Sequence, residues 1–154
     1  MAKDIEDPVF GTLTKWQDGD WEFKYYSNLF ERELEITIEA GDEYDRELPE
    51  ECIYSTFKWF HENQIELKAT IEKAIFSYYQ KVRDEFHQGW GGGEEVDENV
   101  PVISNQEEIW KLISGPRVYL STEYVDLSIS FETTWDQEHG ITLLFKNEQL
   151  FDIE

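Results

Sequence analysis

The run Glu33-Leu34-Glu35-Ile36-Thr37-Ile38-Glu39 constrains this chain more than any other stretch. Its even positions are apolar and its odd positions are acidic or Thr. A period of two sends alternate side chains to opposite faces of a strand, so this strand has one buried face and one wet, negative face.

The neighbouring sequence repeats the strand signal on both sides. Residues 9–15 alternate as a strand, and Asp18-Gly19 marks the hairpin turn within Gln17–Asp20. In the next run, Trp21, Phe23 and Tyr25 share a face. These strands predict an antiparallel meander at the N-terminus. Gly41 then opens an acidic loop, and Pro49 suits the first turn of a helix. Ile53, Phe57 and Phe60, then Ile71, Ala74/Ile75, Tyr78, Val82 and Phe86, recur near a period of 3.6. They predict helices over 49–62 and 64–88, broken near Asn63. Gly89-Trp90-Gly91-Gly92-Gly93 ends the second helix and opens a flexible Gly/acidic connector over 89–104. Asn105 with Glu108 forms a capping-box pattern ahead of a short third helix carrying Ile109, Leu112 and Ile113. A C-terminal meander follows: strands at 117–120, 125–131, 141–145 and 150–153, with turns at Asp136–Gly140 and Lys146–Gln149. Segregated strands and helices predict a single α+β domain over 1–154. The expected architecture is one antiparallel sheet built from both meanders, with two to three helices between them packed on one face. Two small subdomains joined at the connector is the alternative.

Composition limits the function. The 154 residues carry 35 Asp+Glu against 13 Lys+Arg, a formal net charge of −22. Such charge in an apolar-poor chain means disorder, but 10 Phe, 8 Tyr and 6 Trp belong to a chain that buries a core. The sign of the charge argues against nucleic acid and anionic membranes as partners, since both need Lys/Arg to neutralise phosphate. Cys52, the sole cysteine, leaves no internal disulfide and suits a reducing compartment. The opening residues lack the apolar stretch of a signal peptide, and a cytoplasmic location is expected.

No catalytic fingerprint stands out. Asp136, Glu138 and His139 place two carboxylates and an imidazole within four residues, a set able to bind a divalent metal or move a proton. Turn chemistry explains the same residues more simply. A metal-dependent hydrolase using the three is the enzymatic alternative; no cofactor or metal is otherwise expected. His61 and His87 lie near predicted helix ends, where the helix dipole favours an imidazolium. Gly91-Gly92-Gly93 follows a helix, which is the wrong side for a phosphate cradle. Cys52 is expected to be buried and inert.

The acidity is the main functional feature. From Glu31 to Glu51 there are 10 acidic and 2 basic residues, and from Leu120 to Glu154 eight acids stand against Lys146 alone. Glu22, Glu33, Glu35 and Glu39 on the strands, Asp42, Glu43 and Asp45 in the loop, and Glu94, Glu95, Asp97 and Glu98 in the connector are the candidate partner-binding carboxylates. Trp16, Tyr44 and Trp90 lie within this acidic field, and Trp16 and Trp90 are the candidate anchors.

Asp7-Pro8-Val9-Phe10-Gly11 with Leu13 and Trp21, the Trp110 helix and the Trp135-Asp136-x-Glu138-His139-Gly140 hairpin together resemble a group of small acidic bacterial domains of unknown function. Such proteins are similar to those found among the immunity proteins of polymorphic-toxin and contact-dependent inhibition systems. The resemblance implies an immunity protein and carries over no catalytic residues. With the acidity, it gives the expectation of a non-enzymatic cytosolic protein that neutralises a basic toxin domain, of nuclease type because a cleft that holds phosphate is cationic. A general protein-interaction domain, charged for solubility, is the remaining alternative.

Overall fold

A computed structural model describes residues 2–40, 47–90 and 98–154, with residues 87–90 described by their backbone. Strands β1 (Lys3–Asp7), β2 (Gly11–Lys15), β3 (Trp21–Ser27) and β4 (Arg32–Ile38) precede helices α1 (Glu51–Glu62) and α2 (Gln64–Trp90). A 3₁₀ helix, Gln106–Lys111, leads into β5 (Ile113–Leu120), β6 (Leu127–Thr133), β7 (Ile141–Lys146) and β8 (Gln149–Ile153). All eight strands form one sheet, ordered as they occur in the chain. The fold class is α+β.

Neighbouring strands are antiparallel with one exception. β4 and β5 run parallel through Ile36↔Val118, Thr37↔Tyr119 and Ile38↔Leu120. The expected wholly antiparallel sheet is therefore corrected at its centre. Two strands that run the same way need a long crossover, and the helical segment between β4 and β5 supplies it.

The register carries the alternation read at Glu33–Glu39 across the sheet. Trp21, Phe23 and Tyr25 stand beside Ile38, Ile36 and Leu34. Val118 and Leu120 continue the row, then Ile129 and Leu127, then Leu143 and Phe145. Apart from the half-buried Tyr25, all of these are buried. Helical rings meet residues of this same row: Phe57 lies 5.3 Å from both Phe23 and Tyr25, and Trp59 lies 6.2 Å from Phe145. A one-residue slip of β4 would expose Leu34, Ile36 and Ile38 at about 1.5–3 kcal/mol each and turn Glu33 and Glu35 inward. The patterned strand thus fixes its own register.

Several sequence expectations change. β1 was not foreseen, because Lys3-Asp4-Ile5-Glu6-Asp7 has one apolar residue and reads as polar lead-in. It pairs with β2 over five residue pairs, and Thr14 and Thr12 hydroxyls donate to Asp4 and Glu6, each over 2.9 Å. β2 begins at Gly11, so Val9 and Phe10 form the turn instead of the expected strand. The third helix is a 3₁₀ turn capped by Asn105, whose side chain accepts from the Glu108 amide at 3.2 Å. The second helix runs on through Gly89 to Trp90. The far end of the expected flexible connector is packed, with Val100 and Ile103 buried and the Pro101 carbonyl accepting from Tyr79. Cys52, expected to be buried, is exposed: Ile53, Phe57 and Phe60 take the inward stripe of α1 and leave Cys52 off it.

Two glycines test the turns. Gly140 has φ +66°, and a Cβ there would lie 2.2 Å from the Phe131 carbonyl oxygen. Gly11 has φ +76° but open space around the corresponding point. Gly140→Ala is expected to destabilise by about 3 kcal/mol, through clash as well as conformation, whereas Gly11→Ala costs about 1 kcal/mol from conformation alone. Urea denaturation of the two variants measures the difference.

Candidate functional site

The outer side of the β1–β4 meander gathers the predicted Glu22, Glu33, Glu35 and Glu39 and adds Asp4 and Glu6, which were not among the candidates. Positions alternating with the buried row are Asp4 and Glu6 on β1, Glu22 and Lys24 on β3, and Glu33 and Glu35 on β4, with Glu39 just beyond. All are exposed except the half-buried Glu22. Lys24 stands opposite Glu35, and Tyr26 opposite Glu33. Tyr26 is 60 % exposed and Trp16, at the β2–β3 turn, 44 % exposed, so two ring systems lie at this surface. Glu39 ionises less readily than an ordinary glutamate, because of partial burial and then the negative charges of Asp20 and Glu123. Like charges crowd the end of β4.

The remaining predicted residues divide clearly. Glu98 is exposed at the start of the segment leading to the 3₁₀ helix. Asp42, Glu43, Tyr44, Asp45, Glu94, Glu95 and Asp97 lie outside the described residues, as do the side chains of His87 and Trp90. The Asp136/Glu138/His139 cluster folds as a turn. Asp136 Oδ1 accepts from the His139 amide at 3.1 Å and lies 3.2 Å from its Nδ1, while the Thr133 hydroxyl donates to the Asp136 carbonyl. Glu138 bonds to neither partner, and no three His, Cys, Asp or Glu among the described residues converge as metal ligands. Asp136 and His139 are brought together; Glu138 is not.

Sequence reasoning missed a groove under the first hairpin. A cavity of about 720 Å³ opens between the Val9–Gly11 turn, β3 and α1, walled by Phe10, Tyr25, Tyr54, Phe57 and His61. Asp7 anchors the turn. Its Oδ1 accepts from the Val9 and Phe10 amides at 2.8 and 3.0 Å, and its Oδ2 accepts from the Tyr54 hydroxyl at 2.7 Å. Burial opposes ionisation of Asp7, yet these three donors outweigh it and hold the carboxyl below its ordinary value. Burial, followed by the Asp7 hydrogen bond and charge, pushes Tyr54 up to about 12.

A second relay reaches the groove from the sheet. Gln64 is buried, and its Oε1 accepts from the Ser27 hydroxyl at 2.7 Å and the Leu29 amide at 3.0 Å. That fixes the amide so that its Nε2 donates to the Tyr25 oxygen. The Tyr25 hydroxyl in turn lies 2.7 Å from His61 Nδ1, which continues the chain of polar contacts to the groove wall. Burial raises the Tyr25 hydroxyl pKa, and the Gln64 bond partly offsets this.

The sheet is split at the same place. β2 and β3 pair only at Thr14↔Glu22 and Lys15↔Trp21. A bond from the Lys24 amide to the Thr12 carbonyl would add the Leu13–Phe23 pair to that ladder, and the pair is absent. A second cavity of about 530 Å³, lined by Thr12, Trp16, Glu22, Lys24 and Glu35, opens on the outer side of the split.

The Asp7–Tyr54 pair has opposite signatures at the two ends of the pH scale. Asp7, lowered in the fold, stabilises fully above its ordinary value of 3.8 and loses that contribution as pH falls. Tyr54, raised in the fold, stabilises below its ordinary 10.0 and loses that as pH rises towards about 12. Tyr54→Phe is expected to cost about 1–2 kcal/mol at neutral pH and to flatten both limbs. Denaturation midpoints across the pH range provide the check, with an unchanged acid limb counting against the pair.

No curated protein and no solved structure matches this chain. The family model that does match, described as a domain of unknown function (DUF6985), covers residues 9–154, and the chain belongs to that family.

Proposed function

We propose that this chain is a non-enzymatic, cytosolic binding protein whose outer β1–β4 face receives a basic protein, as an immunity protein receives the nuclease-type domain of a bacterial toxin. The observation that supports this reading is the strand register. It sets Asp4, Glu6, Glu22, Glu33, Glu35 and Glu39 on one side of four strands, with Lys24 as the single cation among those positions. A nuclease cleft is cationic because it holds phosphate, and a carboxylate field of this kind speeds encounter and competes for the cleft. Trp16 and Tyr26 supply the large, exposed rings that interface centres use. Burial, then the nearby negative charges of Asp20 and Glu123, disfavour the ionised form of Glu39, and a partner's cation beside it would favour that form.

The test is binding to a cationic domain encoded beside this chain. Nanomolar affinity is expected, with an association rate that falls steeply as salt rises. The double variant Glu33→Lys/Glu35→Lys is expected to slow association at least about tenfold while leaving the melting profile near that of the parent. Calorimetry showing no binding to the cationic neighbour would sink the proposal. So would an association rate indifferent to both salt and the double variant.

A further inference from the structure

We propose that the split between β2 and β3 is a strand-addition site, which takes an extended peptide segment with alternating basic and apolar side chains. This deepens the basic-partner reading and rests on it, by naming the segment of the partner that is gripped.

Backbone alternation identifies the open edge. Trp16 donates to the Asp20 carbonyl at 2.8 Å, closing the hairpin, so Thr14 and Glu22 are the next pair to exchange hydrogen bonds. Lys24 and Tyr26 follow at the same phase, with N–H and C=O directed towards β2. The β2–β3 ladder, which pairs Thr14 with Glu22 and Lys15 with Trp21, reaches neither residue. On its other side β3 is fully paired, with seven residue pairs to β4. The open edge is therefore held on a strand that cannot shift to satisfy it. At the mouth of the split, Gly11 leaves open space where a side chain would project.

A strand laid against Lys24 and Tyr26 would send its side chains alternately to the two faces of the sheet. The two cavities lie on those two faces and share Phe10, Gly11, Phe23 and Lys24 in their walls. The inner one, ringed by Phe57, Tyr54 and Tyr25, suits an apolar or aromatic side chain. The outer one is lined by Glu22, Glu35, Lys24 and Trp16, and its two carboxylates and indole ring suit an Arg or Lys. Main-chain bonds would supply affinity and the alternating pockets the pattern.

The probe is acetyl-Arg-Phe-Arg-Phe-Arg-amide, titrated into the full ¹⁵N-labelled chain. The amides of Thr12, Lys24 and Tyr26 are expected to shift together. Methylation of the probe's central main-chain nitrogens, or the scrambled order Arg-Arg-Phe-Phe-Arg, is expected to weaken binding at least about tenfold at unchanged charge. Lys24→Pro removes the donor without breaking a ladder bond and is expected to abolish the peptide response. If that variant fails to fold, the methylated probe decides alone. Equal binding of methylated and unmethylated probes would overturn the inference, as would shifts confined to Glu33–Glu39. A cationic domain that binds Lys24→Pro at parental affinity also overturns it while leaving the basic-partner reading intact. A domain that binds neither form removes that reading instead.

Discussion

The parallel contact between β4 and β5 is the constraint on which the rest of this fold depends. Three residue pairs join a four-strand meander to a second four-strand meander and make them one sheet. The side chains at the seam, Ile36, Ile38, Val118 and Leu120, are buried almost without remainder, at 0–1 % exposure. Because the strands run the same way, the chain cannot turn back directly between them, and the long crossover follows from geometry. That crossover is where the helices lie, and Phe57, Phe60, Ile71 and Ile75 from them share one buried cluster with the row that the seam aligns. Loss of the seam would leave two amphipathic meanders, each with half a core.

The same alternation explains how a chain of net charge −22 folds at all. Packing like charge close together costs stability. The strand period assigns the carboxylates to the face opposite the core, and threonines at Thr12 and Thr14 hydrogen-bond two of them. At Glu39, just beyond β4, burial and then the nearby charges of Asp20 and Glu123 leave a carboxyl reluctant to ionise. Six acids thus fall on the outer side of the β1–β4 meander, where Lys24 is the one cation among the same positions.

How much of this could be read beforehand depended on the range of each interaction. The strands around Leu34–Ile38, Trp21–Tyr25 and Leu127–Phe131 are legible because period-two burial is written in adjacent residues, and so are the helices with their Ile53/Phe57/Phe60 stripe. The Asp18-Gly19 and Asn147-Glu148 turns are local as well, the latter with φ of +54° and +62°. β1 was missed because Ile5 is its one apolar residue and leaves no alternation to read. The parallel seam was missed because two isolated strands carry no mark of relative direction. The groove was missed for a third reason: Asp7 meets Tyr54 across 47 residues, and Tyr25 meets His61 across 36. No spacing rule links such positions. Asp7-Pro8-Val9-Phe10-Gly11 did stand out as a motif, yet its role as the anchor of a turn appears only when the Tyr54 hydroxyl is placed above it.

That turn also accounts for the split in the sheet. To continue the β2–β3 ladder, Phe10 would have to follow β2 outward and leave the interior. Instead its ring lies 4.5 Å from Phe23, 4.7 Å from Tyr54 and 5.2 Å from Phe57, and Asp7 fixes the chain in the conformation that puts it there. Burial of one Phe is worth about 1.5–3 kcal/mol and each favourable ring pair about 0.5–1.5 kcal/mol. A ladder hydrogen bond contributes a net 0.5–1.5 kcal/mol or so, and the bonds forgone lie at an exposed edge where water takes them over. The aromatic cluster outweighs the ladder. The open edge at Lys24 and Tyr26 is thus the direct consequence of packing Phe10, which makes the split a stable feature of the fold and couples the shape of the groove to the core beneath it.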